Sequence, residues 1–166
     1  MYRLLQGDVG SGKTVVSAMA ALQAINSGFQ VAFMAPTEIL AEQHFEKLTS
    51  WLTKLGIHVE LLTGSMSSKL KDKSYEKIKS GEAKLIVGTH ALIQEKVDFK
   101  FIGFYIIDEQ HRFGVKQRLS LRKKSESNKD FEPHQLMMSA TPIPRTLAMS
   151  YFADMDISII NEMPPG

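Results

Sequence analysis

Apolar residues in this chain fall into short unbroken runs, separated by longer stretches where they recur every three or four positions. Runs near residues 3–6, 30–34, 58–62, 84–87, 104–108, 135–139 and 157–160 have the length of β-strands. Most lack polar alternation, as expected for strands covered on both faces. Between them, 13–27 reads as a helix, with Val15, Met19, Leu22 and Ile25 at turn spacing and Gly28 as its stop. A second helix spans 38–55, where Ala41, Phe45, Leu48, Leu52 and Leu55 step by four and three. Gly56 follows as its C-terminal cap. A third covers 69–80, basic on its outer face and ended by Gly81. Trp51, the only tryptophan, lies beside the second helix's apolar stripe and reads as a core-packing residue. Segment 122–133 is charged, holds Ser, Asn and Pro, and has no apolar period, so it reads as an exposed loop. The alternation predicts an α/β domain over 1–162, with a mostly parallel sheet, right-handed crossovers and helices on both faces. Residues 163–166 read as the start of a linker.

Composition narrows the field only slightly. The 166 residues suit one domain, and 43% hydrophobic with 23% charged residues is ordinary globular usage. The absence of cysteine excludes a disulfide framework and fits a cytoplasmic protein. No apolar run approaches the ~20 residues that span a bilayer, and no signal-peptide pattern opens the chain, so no membrane role is expected. Histidines 44, 58, 90, 111 and 134 are scattered without ligand-like spacing, which argues against a structural metal. A net charge of +2 neither demands nor excludes a nucleic-acid partner. Any such claim rests on motifs.

The strongest local signal is Gly7-Asp8-Val9-Gly10-Ser11-Gly12-Lys13-Thr14, a G-x-x-x-x-G-K-[ST] sequence between an apolar run and an amphipathic helix. Its glycines let the backbone curl so that several N–H groups face phosphate oxygens, and the following helix adds its positive end. In that setting Lys13 reaches the β- and γ-phosphates of ATP, and the Thr14 hydroxyl ligates Mg²⁺. A glycine-rich turn could match by accident, but the strand before and the helix after count against it. Downstream, an apolar strand runs into Asp108-Glu109-Gln110-His111. Carboxyl ends of parallel strands face the ligand crevice, so Asp108 is placed to hold Mg²⁺ through water and Glu109 to orient the attacking water. Paired carboxylates at a strand end also suit a solvated turn; the upstream phosphate loop favours chemistry. Gln110 and His111 can bond both the γ-phosphate region and a neighbouring segment. Ser139-Ala140-Thr141, closing the next strand, is expected beside them as a coupling element.

Taken in order, these residues resemble the superfamily 2 helicases: G-x-x-G-x-G-K-T, D-E-Q-H and S-A-T stand where that superfamily has motifs I, II and III. Between them, Ala35-Pro36-Thr37-Glu38 and the following Ile39-Leu40-Ala41-Glu42-Gln43 resemble motif Ia. Asp108-Glu109-Gln110-His111-Arg112-Phe113-Gly114-Val115 and Ala140-Thr141-Pro142-Ile143-Pro144-Arg145-Thr146-Leu147 sharpen the resemblance to the RecG type. The transcription-repair coupling factor is a close relative that typically has D-E-E-H, and Gln110 is the departure favouring RecG. The resemblance implies a P-loop, RecA-like first motor domain with Lys13, Asp108, Glu109 and His111 as catalytic residues. It also implies strand-end DNA contacts at Pro36, Thr37, Thr63, Gly64, Ser65, Gly88, Thr89 and His90, made to phosphates rather than base edges. The basic residues of 69–79 read as a solvated helix face rather than a DNA stripe, as do Arg118, Arg122, Lys123 and Lys124. The implied activity is ATP-driven remodelling of forks and Holliday junctions in recombination and repair. Its implied partners are branched or duplex DNA, a second RecA-like domain carrying an arginine finger, and a DNA-binding wedge domain. Neither further domain falls within this sequence, so the chain alone is expected to bind ATP weakly and unwind almost nothing. Other readings are the motor of the coupling factor, a nucleotide-dependent switch that drives no movement, and a small-molecule kinase, for which no arginine-rich lid is present.

Overall fold

The computed structural model describes residues 2–7, 12–94, 96–108, 134–139 and 156–160; for 2–7, 93, 139 and 156–160 the backbone alone is described. Seven strands and three α-helices follow one another: β1 (Tyr2–Gly7), α1 (Lys13–Asn26), β2 (Gln30–Met34), α2 (Glu38–Leu52), β3 (Val59–Leu62), α3 (Ser68–Ser80), β4 (Leu85–Gly88), β5 (Ile102–Asp108), β6 (His134–Ser139) and β7 (Asp156–Ile160). Short 3₁₀ turns at Thr53–Leu55 and His90–Ile93 complete the set. The strands form one sheet in the order β3-β4-β2-β5-β6-β1-β7. Every pairing among them is parallel. Segment 122–133 and residues 163–166 lie outside the described residues.

Successive side chains of a strand point to opposite faces, so each central strand feeds two cores. On one face Val31, Phe33, Val87, Phe104 and Ile106 meet Ala18 and Ala21 of α1 and Ala41, Leu48 and Leu52 of α2. On the other, Ala32, Met34, Ile86, Tyr105 and Ile107 meet Ile78 of α3 and Leu92 of the second 3₁₀ turn. The result is the expected three-layer α/β arrangement. β2 and β4 are buried along their whole length, which explains their unbroken apolar runs.

Three sequence expectations fail for packing reasons. Of the α1 stripe, Leu22 and Ile25 pack against the core, but Val15 and Met19 do not, Met19 being 67% exposed; the buried face is Ser17, Ala18 and Ala21. Small residues let this helix sit close to the sheet, and Ser17 Oγ donates to Thr14 O at 2.8 Å, so its burial leaves no hydroxyl unpaired. Leu55 is 59% exposed because the chain tightens from α-helix to 3₁₀ at Thr53, which turns later side chains off the stripe. Trp51, expected in the core, is 38% exposed.

The amino-terminal edge of the sheet is fastened by one side chain. Gln30, 2% exposed, donates from Nε2 to Ile78 O and Ala83 O and accepts the Phe101 amide on Oε1, each at 2.9 Å. It thus ties the start of β2 to the end of α3, the approach to β4 and the approach to β5. Gln30→Met keeps the volume and removes all three bonds. We expect a loss of about 2–3 kcal/mol, since each stranded buried backbone group costs on the order of 1 kcal/mol. Urea unfolding checks this: an unchanged midpoint would show that water replaces the amide without cost.

Candidate nucleotide and nucleic-acid site

The sheet order divides the carboxyl-terminal rim into two halves. The ends of β5, β6 and β1 are neighbours; those of β3, β4 and β2 are the other neighbours. In the first half, Asp108 closes β5, Ser139 closes β6 and Gly7 closes β1. Register fixes their level: Asp108 is paired with Met138, and Ser139 with Gln6. Adjacent strands lie ~4.8 Å apart, so the ends of β5 and β1 are separated by roughly 10 Å across the end of β6.

Gly12 is the N-cap residue of α1 with φ of 93°, a left-handed conformation that glycine adopts without strain. It brings no side-chain cap to the helix. The first turn of α1 therefore opens at the rim with Lys13 and Thr14 as its first two residues, both partly buried. Helix-start amides have no partner within the helix, and the peptide dipoles add positive potential there. Asp8, Val9, Gly10 and Ser11 lie outside the described residues, as do Glu109, Gln110, His111, Ala140 and Thr141.

Asp108 is buried, and its Oδ2 accepts a hydrogen bond from His44 Nε2 at 2.8 Å. A carboxylate oxygen only accepts here, so the ring hydrogen sits on Nε2. His44 belongs to α2, three residues after Ala41 and four before Leu48, both wholly buried, so it projects from the sheet-facing side of that helix. Its ring also lies on Phe33 of β2, with centroids 4.7 Å apart and planes at 46°. Among the described residues no second hydrogen bond to Asp108 is seen, so Oδ1 is left as an oxygen available to a ligand at the strand end. One hard oxygen from Thr14, with the Asp108 carboxylate reaching the ion through water, suits Mg²⁺, which takes few protein oxygens and keeps several waters. Sequence reasoning passed over His44 as one of five scattered histidines. The available signal was its spacing between the apolar Ala41 and Leu48 of the helical stripe, where a polar ring needs a partner.

The other half of the rim gathers Pro36 and Thr37 after β2, Thr63, Gly64 and Ser65 after β3, and Gly88, Thr89 and His90 at the end of β4. Ala35 N donates to Gly88 O at 2.8 Å, extending the β2–β4 pairing to the rim. Thr37 is exposed and caps α2, its Oγ1 accepting the Leu40 amide at 3.2 Å, which leaves its own O–H as a donor. Glu38 Oε1 accepts the Ser65 amide at 2.9 Å and so joins the loops after β2 and β3. Bonds from Ser65, through its side chain and then its amide, with Lys71 further off, hold the Glu38 carboxyl below its ordinary pKa against a smaller desolvation effect. Thr63 and Thr89 are 2% and 9% exposed, so the surface here belongs to Thr37, Gly64, Ser65 and His90. Gly88 is a glycine for a structural reason: a Cβ there would stand 2.1 Å from Leu62 O of the adjoining strand.

The G-x-x-x-x-G-K-T sequence between β1 and α1, an acid two strands away and a parallel sheet between helices define a P-loop domain of the helicase kind. Residues 3–150 match the family model of DEAD/DEAH box helicases, and the chain belongs to that family. Over its whole length it is similar to the ATP-dependent DNA helicase RecG. It is 60% identical over 166 residues to the RecG of Haemophilus influenzae and 57% to that of Aquifex aeolicus. It spans 24% and 21% of the length of those two relatives. A solved structure of RecG bound to a three-way DNA junction superposes with a TM-score of 0.83 at 48% identity, covering 100% of this chain and 21% of that one. The Hef helicase domain of Pyrococcus furiosus, at 20% identity, covers 97% of this chain and 35% of that one with a TM-score of 0.65, a likeness of fold alone. Among the described residues, no helix is long and apolar enough to cross a membrane.

Proposed function

We propose that this chain is the first, ATP-binding motor domain of a RecG-type DNA helicase, over 1–162, coupling ATP hydrolysis to remodelling of branched DNA in recombination and repair. The observation that carries the reading is the adjacency of the ends of β1, β6 and β5, which bear Gly7, Ser139 and Asp108. In this reading, amides of residues 7–14 and the start of α1 bind the phosphates, and Lys13 neutralises the β- and γ-oxygens. Thr14 and Asp108 hold Mg²⁺, which when bound draws charge from the phosphate oxygens. Glu109 orients the attacking water and accepts its proton. Gln110 and His111, with Ser139, Ala140 and Thr141 on the intervening strand, relay the state of the γ-phosphate. Thr37, Gly64, Ser65 and His90, with Pro36 beside them, form the DNA half of the rim, offering hydroxyls and main-chain groups to the backbone, while Thr63, Gly88 and Thr89 are buried beneath it and shape it. The protein works in the cytoplasm with a second RecA-like domain, which supplies an arginine finger, and a wedge domain that holds the junction. Residues 163–166 begin the linker between the two motor domains.

The test is ATP hydrolysis by the full-length protein with and without a three-way junction. Junction DNA is expected to raise the rate at least tenfold, as a motor requires. A rate indifferent to DNA would leave only a nucleotide-binding switch.

A further inference from the structure

Two features of His44 are costly unless they serve something. It places a partly buried imidazole, 14% exposed, between the buried Ala41 and Leu48 of α2, where an apolar side chain would pack without needing a partner. It also spends its Nε2–H on a carboxylate at the sheet's ligand rim, on a strand that α2 does not follow in sequence. The ring packs against Phe33 while its Nε2 reaches Asp108, and the two contacts together limit its rotation. A hydrogen bond from so constrained a donor restricts rotation of the Asp108 carboxylate and selects which oxygen remains outward. Mg²⁺ holds its waters in a rigid octahedron, so the carboxylate that accepts from those waters must be turned to meet them, and a freely turning one does so poorly.

We propose that His44 is a positioning residue for the metal-side carboxylate: its Nε2–H pins Asp108 Oδ2 and presents Oδ1 toward the magnesium of the bound nucleotide. The inference rests on the reading of Asp108 as that carboxylate. It adds a residue from outside the phosphate loop and the D-E-Q-H segment, carried on the helix that Thr37 caps. Groups that orient a metal ligand commonly contribute about 10–100-fold to metal affinity. His44 acts on the metal without touching it.

The experiment is Mn²⁺ binding, followed by electron paramagnetic resonance, to the full-length protein with a non-hydrolysable ATP analogue. His44→Ala is expected to weaken Mn²⁺ binding at least tenfold. His44→Phe, which keeps a ring against Phe33 and lacks the donor, should behave like His44→Ala. His44→Gln, whose amide nitrogen can stand near the position of Nε2, should stay within about threefold of the wild type. If Asp108→Asn weakens binding while His44→Ala and His44→Phe do not, the proposal fails and the reading of Asp108 survives. If Asp108→Asn also leaves affinity unchanged, the reading of Asp108 falls, and the proposal with it. Equal weakening in His44→Gln and His44→Ala, or wild-type affinity in His44→Phe, would assign the effect to packing and overturn the role of the hydrogen bond.

Discussion

Replacing Lys13 by alanine in the full-length protein is expected to lower DNA-stimulated ATP hydrolysis by about 10²–10³-fold, the usual loss when a preorganised charge on a reacting group is removed. The expectation follows from where Lys13 stands. It is the first residue of α1, directly after the left-handed Gly12, at a rim shared with the ends of β6 and β5. Alanine is the best helix former, and the position is only partly buried, so the fold should persist. The melting temperature without nucleotide should therefore stay close to the wild type's, while the stabilisation that ATP confers disappears. Steady-state ATPase assays and melting curves with and without ATP separate chemistry from folding. Equal turnover in variant and parent would remove Lys13 from the phosphate site.

Gly88→Ala should be the most destabilising single methyl in the described part of the domain. The added Cβ would lie 2.1 Å from Leu62 O, 3.2 Å from Leu62 C and 3.0 Å from Leu92 Cγ. Leu62 is the register partner of Gly88, so the first two contacts are with backbone already committed to the β3–β4 ladder. Neither atom can swing aside as a side-chain end would. The two strands must part or the chain must bulge, and we expect more than about 4 kcal/mol of lost stability, in the range reserved for severe steric insertions. Denaturant unfolding provides the measurement. Retained stability with weakened DNA binding would show that the glycine is there for a phosphate to approach, as its motif context suggested, and not for the sheet.

That ambiguity illustrates how far the sequence could be read. β2, β4 and nearly all of β5 were legible because they are buried on both faces, so their apolar runs are continuous and their limits shift by only a residue or two. Helix ends marked by Gly56 and Gly81 were legible because both glycines adopt the left-handed cap that the pattern implies. The inward face of α1 was only half legible: Leu22 and Ile25 pack as expected, but the most buried positions carry small residues that periodicity gives little weight. Leu55 left its stripe because a change of helix type does not show in residue spacing. The glycine loop, Asp108 and the hydroxyl-rich strand ends could be named from their motifs. His44 could not, since its partner is distant in sequence and near only once β2 and β5 are paired.

The place of β1 in the sheet also sets a constraint on assembly. Its two neighbours are β6 and β7, so the strand that leads into the phosphate loop is bordered entirely by segments from the far end of the sequence. During synthesis, native pairing of residues 2–7 must wait until residues 134–160 have left the ribosome. Contacts of such long sequence separation form slowly. The interval leaves this strand without native partners, a natural client for chaperones that bind unpaired strands.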